Sequence, residues 1–270
     1  VQEDIIQTRK DMPETLLLQS GSFNASSSLL LTFGWEPDAP WHDKRARQAL
    51  SMMIDREAYV DVVFNRDRFA ADGIDLPIRM NSIVPGGWGE VFWLDPKNEA
   101  KFGPSARFLK FDIAEAKKLL SAAGYPNGFA FDLYYNGGPQ FGVAYVRTAE
   151  LYAGFFTAGG LRPKQVPVTP FDTWLSHYSR RYTVAFGNYD QNPGHSGVSL
   201  IAERAYSTLA VQIRNQFHVS GQGYRGMVPP GSSVDKGDPK SNDLALRISR
   251  EFDKNRQAAL VHEMIRYQTE

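Results

Sequence analysis

The 270-residue chain contains no cysteine. That excludes disulfides, thiol nucleophiles and thiolate-ligated metal sites. It has no excess of charge: 30 Lys and Arg face 30 Asp and Glu. No global field therefore argues for nucleic acid or an anionic membrane as a partner. No run approaches the ~20 apolar residues needed to span a bilayer. The first ten residues, VQEDIIQTRK, lack the apolar stretch of a signal peptide. Internal repeats and low-complexity tracts are absent. What remains, 42% hydrophobic and 22% charged residues, is ordinary globular composition. The length suits one large domain or two small ones.

The most informative stretch is Asp112 to Tyr135, DIAEAKKLLSAAGYPNGFAFDLYY. The Asp112 carboxylate can cap a helix, and Glu115 three residues on completes a capping-box pattern. Ile113, Ala116, Leu119, Leu120 and Ala123 recur at helical spacing. Gly124 and Pro126 end the helix, and Asn127-Gly128 turns the chain. Phe129, Phe131 and Leu133 then alternate with Ala130, Asp132 and Tyr134, as in a half-buried strand.

AKKLLSAAGYPNGFAFDL within that stretch resembles the extracellular solute-binding proteins of ABC importers, family 5, the oligopeptide- and dipeptide-binding proteins. Trp41 to Val63, WHDKRARQALSMMIDREAYVDVV, is similar to that family's D-x-R-V-R-Q-A … I-D-R-E segment, with Ala46 where the family has Val. Asn242 to Tyr267 resembles its closing helical hairpin. The resemblance implies an α/β fold, a lobe like those of type II periplasmic binding proteins, with a mixed sheet flanked by helices. Family members are longer, and the D-x-R-V-R-Q-A segment falls near their mid-chain. The expectation is that residues 1–22 form an inter-lobe segment and residues 23–270 the C-terminal lobe. The N-terminal lobe and a signal peptide would be absent.

Taken in order, Leu29 to Phe33 reads as a buried strand. Asp43 opens a helix with Ala46, Ala49, Leu50, Met53 and Ile54 on one face, and Asp55 recaps a second with Tyr59, Val60, Val63 and Phe64 inward. Residues 65–111 read as a long loop holding Trp88, Phe92 and Trp93, either a satellite apolar cluster or an aromatic wall of a cleft. A helix from Val143 to Phe156 stops at Gly159-Gly160. Leu161 to Val168 is a strand that Pro163 and Pro167 place near a sheet edge. Strand, helix and strand form a βαβ unit with parallel pairing. Phe171 to Tyr178 reads as a helix, Tyr182 to Phe186 as a strand, and Leu200 to Gln216 as a helix. Val219 to Asn242 is loop-like. Asp243 is expected to cap a helix with Leu244, Ile248 and Phe252 together, and Asp253 a final one with Leu260, Met264 and Tyr267.

Ligands of open α/β sheets gather outside the carboxyl ends of the strands. The loop after Phe186 supplies Asn188, Tyr189, Asp190, Gln191 and Asn192 there. By the resemblance, Tyr189 falls on the family's aromatic position and Asn192 on an acidic position that meets a peptide's α-amino group. The nearest acid is Asp190, two positions early, which puts peptide specificity in question. Phe171 and Trp174 resemble the family's W-x-x-x-L, with Leu175 at the Leu position, and core packing is the alternative for both aromatics. Tyr135 and Asn136, at the end of the central strand, are a third candidate.

Enzyme motifs do not hold. Gly221 to Gly226 matches G-x-G-x-x-G, but Met227-Val-Pro-Pro follows instead of a helix. Gly194-His-Ser-Gly197 lacks the second glycine of a nucleophile elbow at the required spacing. Asp190-x-Asn192-x-Gly194 starts like a calcium loop, yet Ile201 stands where a bidentate Glu is needed. The five histidines show no metal-ligand spacing. The expectation is a binding protein that carries out no catalysis and uses no cofactor or metal. By the resemblance its partners are a small-molecule solute (an oligopeptide or similar), its own N-terminal lobe and an ABC permease, outside the cytoplasm as a periplasmic protein or cell-surface lipoprotein. A sensory or scaffold module of the same fold is the alternative, and a hydrolase a more remote one.

Overall fold

A computed structural model describes residues 2–14, 29–33, 38–75, 80–84, 88–138, 142–169, 197–202, 208–221 and 237–270. Four elements precede the long connection, α1 (Gln2–Asp11), β1 (Leu29–Phe33), α2 (Lys44–Met53) and α3 (Arg56–Phe64), and α4 (Arg66–Ala71) opens it. Then come α5 (Glu99–Phe102), a 3-10 turn (Pro104–Leu109), α6 (Ile113–Ala122), β2 (Ala130–Asn136), α7 (Gly142–Ala158) and β3 (Arg162–Val168). The chain closes with β4 (Val198–Ala202), α8 (Leu209–Phe217), α9 (Pro239–Arg250) and α10 (Lys254–Thr269).

The sheet order is β1-β4-β2-β3, with β1 antiparallel to β4 and the other two pairings parallel. The mixed sheet flanked by helices is as expected from the sequence. So is the parallel unit β2–α7–β3, with the proline-bearing β3 at the edge of the described strands. One face of the sheet carries Phe131, Leu133, Tyr135, Val198 and Leu200, all buried against Leu50 and Met53 of α2, Ala116 and Leu120 of α6, and Ala149 and Phe156 of α7. Edge-on rings run through this layer: Trp41 meets Phe129 and Phe131 at 6.3 Å each, and Phe131 meets Phe156 at 5.7 Å. Gly128 sits at φ +64, and a Cβ there would lie 2.2 Å from the Gly160 carbonyl oxygen. The turns entering β2 and β3 therefore touch backbone to backbone, which only glycine permits.

Aspartates start the helices. Asp43, Asp55, Asp112 and Asp253 each accept a hydrogen bond from the first turn behind them, as their sequence positions predict. The capping box at Asp112 is only half made. Its carboxylate takes Glu115 N–H at 2.9 Å, but its own N–H donates to the Met52 carbonyl at 2.9 Å, and Glu115 pairs with Lys118 instead. The end of α2 has replaced the side chain that a local motif would supply.

A second cluster lies beyond the sheet. Phe92, Leu94 and Phe102 of the long connection pack with Ile213 of α8, Leu244 and Ile248 of α9, and Val261 and Met264 of α10. The connection thus contains α4, α5 and a 3-10 turn where the sequence reads as loop. Trp88 donates its indole N–H to Gln212 and packs against this cluster, and Trp93 donates to the Met80 carbonyl at 3.0 Å.

Several expectations are corrected. Leu200 begins no helix: residues 198–202 are strand, with Val198 and Leu200 filling the sheet core, and α8 starts only after its cap, Thr208. Asp243 caps nothing. Asp238 does so, accepting Ser241 N–H at 2.7 Å ahead of Pro239, and Asp243 is an exposed partner of Arg247 inside the helix. Phe64 is exposed rather than inward, because α3 packs on the body through the Tyr59 side and ends at a left-handed Asn65. Phe252 lies past the end of α9 and is 94% exposed. The helix expected over 171–178 and the strand over 182–186 lie outside the described residues.

Arg56 ties α2 to the connection. Its guanidinium donates to the carbonyls of Ser51 at 3.0 Å and Leu109 at 2.8 Å and to the Ser51 hydroxyl at 2.9 Å, and burial holds its pKa below the usual range. Arg56→Ala should cost about 2–3 kcal/mol by urea unfolding, and Arg56→Lys should recover less than half, since one ammonium cannot reproduce the fork. His262 of α10 lies against the backbone of Val91 and Phe92, and its Nε2 is buried with no partner among the described residues. Burial first and Arg266 second depress its pKa. A depressed histidine favours folding in its neutral form. Its contribution is therefore complete above the ordinary value of about 6.5 and falls as pH drops below it. The thermal midpoint of His262→Gln should accordingly fall less steeply than wild type between neutral and mildly acidic pH.

Candidate functional site

The parallel strands β2 and β3 run in register from Ala130 beside Arg162 to Asn136 beside Val168, so their carboxyl ends finish together. The chain leaves this edge tightly. Gly137 N–H donates to the Val168 carbonyl at 3.1 Å, and a Cβ on Gly137 would stand 2.8 Å from that of Pro167. Open α/β sheets bind ligands beyond such ends.

Of the residues predicted for a site, the structure describes Tyr135 and Asn136, and it separates them. Consecutive strand residues face opposite ways. Tyr135 points into the helix-covered core, where burial, with a smaller contribution from the Glu150 charge, pushes its phenol pKa up. Asn136 is on the other face and fully buried. Its Oδ1 accepts Gly138 N–H at 2.7 Å, which pins the turn leaving the sheet. Its Nδ2 has no hydrogen-bond partner among the described residues. An orphaned buried donor costs about 1–3 kcal/mol, so this amide is the strand-end group with most to gain from an added acceptor. Phe171, Trp174, Asn188, Tyr189, Asp190 and Asn192 lie outside the described residues.

The same face of β2 carries a polar pair that sequence reading passed over. Tyr134 donates its hydroxyl to Asp132 at 3.0 Å, and Lys164 of β3 stands 3.8 Å from the same carboxylate. The i, i+2 spacing of Asp132 and Tyr134 was the available signal. Among the described residues no three His, Asp or Glu side chains group so as to hold a metal ion, and no helix is long and apolar enough to cross a membrane.

Comparison with known proteins gives these features a family. The bacterial extracellular solute-binding proteins, family 5 (middle region), match residues 2–202. Heme-binding protein A of Haemophilus influenzae is 26% identical over 131 residues, which is 48% of this chain and 19% of that protein. Among solved structures, the unliganded open form of the periplasmic murein tripeptide binding protein MppA superposes with a TM-score of 0.64 at 17% identity, over 100% of this chain and 44% of that one. The oligopeptide-binding protein AppA of Bacillus subtilis, solved with a nonapeptide, gives 0.62 at 17% identity, over 92% and 43%. This chain thus spans less than half the length of each. The fold is that of a lobe of a type II periplasmic binding protein, and the chain belongs to family 5 of the bacterial extracellular solute-binding proteins.

Proposed function

We propose that this chain is the C-terminal lobe of a solute-binding protein serving an ABC importer, with residues 1–22 leading from the other lobe. The carrying observation is the match of the whole chain to less than half of a periplasmic binding protein in its unliganded open form. The protein captures a small polar solute, an oligopeptide or a compound of similar polarity, between two lobes and passes it to a membrane permease outside the cytoplasm. No bond is made or broken. Closure follows because the solute contacts both lobes at once in the closed state and one at a time in the open state, so binding shifts the population. Asn136 and the turn it pins lie at the strand ends that would face the solute. The loop with Asn188, Tyr189, Asp190 and Asn192, and the aromatics Phe171 and Trp174, are the further contacts proposed.

A lobe by itself forfeits the partner lobe's contacts. Calorimetry with a tripeptide should give binding to the full-length protein at least about 100-fold tighter than to residues 1–270 alone, the equivalent of about 2.7 kcal/mol. Equal affinities would overturn the two-lobe reading.

A further inference from the structure

Asn136 closes β2 with an amide whose two ends are unequally used. Its Oδ1 accepts Gly138 N–H at 2.7 Å. A backbone N–H can only donate, so the carbonyl oxygen is held on the turn side and Nδ2 on the other. The reverse orientation would set donor against donor. Nδ2 is buried with no hydrogen-bond partner among the described residues. The turn itself is fixed, because Gly137 N–H donates to the Val168 carbonyl at 3.1 Å and Pro167 leaves no room for a Cβ on Gly137. The amide is therefore aimed before any ligand arrives, and what it offers is a donor.

The neighbours on this face of the sheet have the same preference. Along β2 the face carries Asp132, Tyr134 and Asn136, paired across to Lys164, Val166 and Val168 of β3. Asp132 is the one carboxylate in this group, and it is engaged: it accepts the Tyr134 hydroxyl at 3.0 Å and lies 3.8 Å from Lys164. It also stands four residues back from the strand end. Beside Asn136 itself is the apolar Val168. An ammonium brought to Asn136 would meet N–H groups and carbon. An oxygen lone pair would meet the one donor that lacks an acceptor.

We propose that Asn136 selects an oxygen acceptor on the solute, a carboxylate or carbonyl oxygen, to which Nδ2 donates when the lobes close. This rests on the two-lobe reading above and gives the chemical class that the lobe favours at its strand end. Burial sets when the bond forms. The amide is withdrawn from solvent in this structure, so an acceptor meets it only after a change of shape. The bond then belongs to the closed state and not to first encounter, and a contact made in one state alone is the kind that shifts a population. It is also made away from water, where a hydrogen bond is electrostatically stronger.

The test is calorimetry on the full-length protein with trialanine, which carries carbonyls, a carboxylate and an ammonium, comparing wild type with Asn136→Asp. That substitution keeps an oxygen for Gly138 N–H and replaces the donor by a second oxygen. The expected result is trialanine binding weakened at least about tenfold. Unchanged affinity overturns the proposal and leaves the two-lobe reading standing. Tighter binding overturns it as well, because the ammonium would then be the group at this position. A wild-type protein that does not bind trialanine overturns both. A second measurement covers the case in which the variant does not fold. In wild-type protein carrying isotope-labelled asparagine, the Asn136 side-chain amide protons should move downfield when trialanine saturates the site. An amide signal that does not respond overturns the proposal, the result if a trapped water already serves Nδ2.

Discussion

Everything described in this lobe hangs on one requirement: β2 and β3 are parallel, so the chain must cross back over the sheet between them. The crossing is α7, and its apolar stripe covers the face of β2 that bears Phe131, Leu133 and Tyr135. Once α7 occupies half of that face, α2 and α6 fill the remainder, and their apolar faces are sized to it. Alanines stand where helices approach closely, at Ala46, Ala49, Ala116 and Ala149, each fully buried. Tyr145 then reaches through the layer to donate its hydroxyl to the Leu200 carbonyl, fastening α7 to β4 as well.

Much of this architecture is legible in the sequence because its signals are local. An aspartate ahead of an apolar period predicts a cap, and Asp43, Asp55, Asp112 and Asp253 all act as caps. Prolines at 163 and 167 predict an edge strand, and β3 is one among the described strands. The failures share a different cause. Val198 to Ala202 is a short apolar run that suits strand or helix equally, and only pairing with β1 on one side and β2 on the other decides it. Asp238 and Asp243 both precede apolar residues, and the choice between them depends on Pro239, whose missing N–H belongs at a helix start. Phe252 fits the apolar period of α9, yet α9 stops two residues short of it. Periodicity does not register where a helix ends.

The candidate site is less legible, for a geometrical reason. Neighbouring residues at a strand end make an attractive pair on paper, but the pleat sends Tyr135 to the core and Asn136 to the opposite face. Sequence identifies which residues reach the strand end; the alternation assigns their faces only once the core side is known. What no local rule could supply is that Asn136 spends one end of its amide on Gly138 and leaves the other unspent.

The two apolar clusters are tied together by side chains that donate to backbone carbonyls, and this bears on the two-lobe reading proposed above. Asp112 N–H meets the Met52 carbonyl, and Arg56 meets Ser51 and Leu109. Arg266 of α10 donates to the carbonyls of Phe102 and Lys101 at 2.9 and 2.7 Å, and Gln48 of α2 donates to the carbonyl of Glu270. All of these bonds except that to Ser51 link a helix or its cap to a chain segment remote in sequence. The 3-10 turn between α5 and α6 adds Ala106 to one cluster and Phe108 to the other. A body braced in this way resists internal shear, because sliding one cluster past the other breaks the bonds of Arg56 to Leu109 and of Gln48 to Glu270. Motion then has to concentrate in the few residues that leave the body, as hinges do. In the two-lobe reading proposed above, rigidity in the lobe is what lets a small solute set the balance between open and closed.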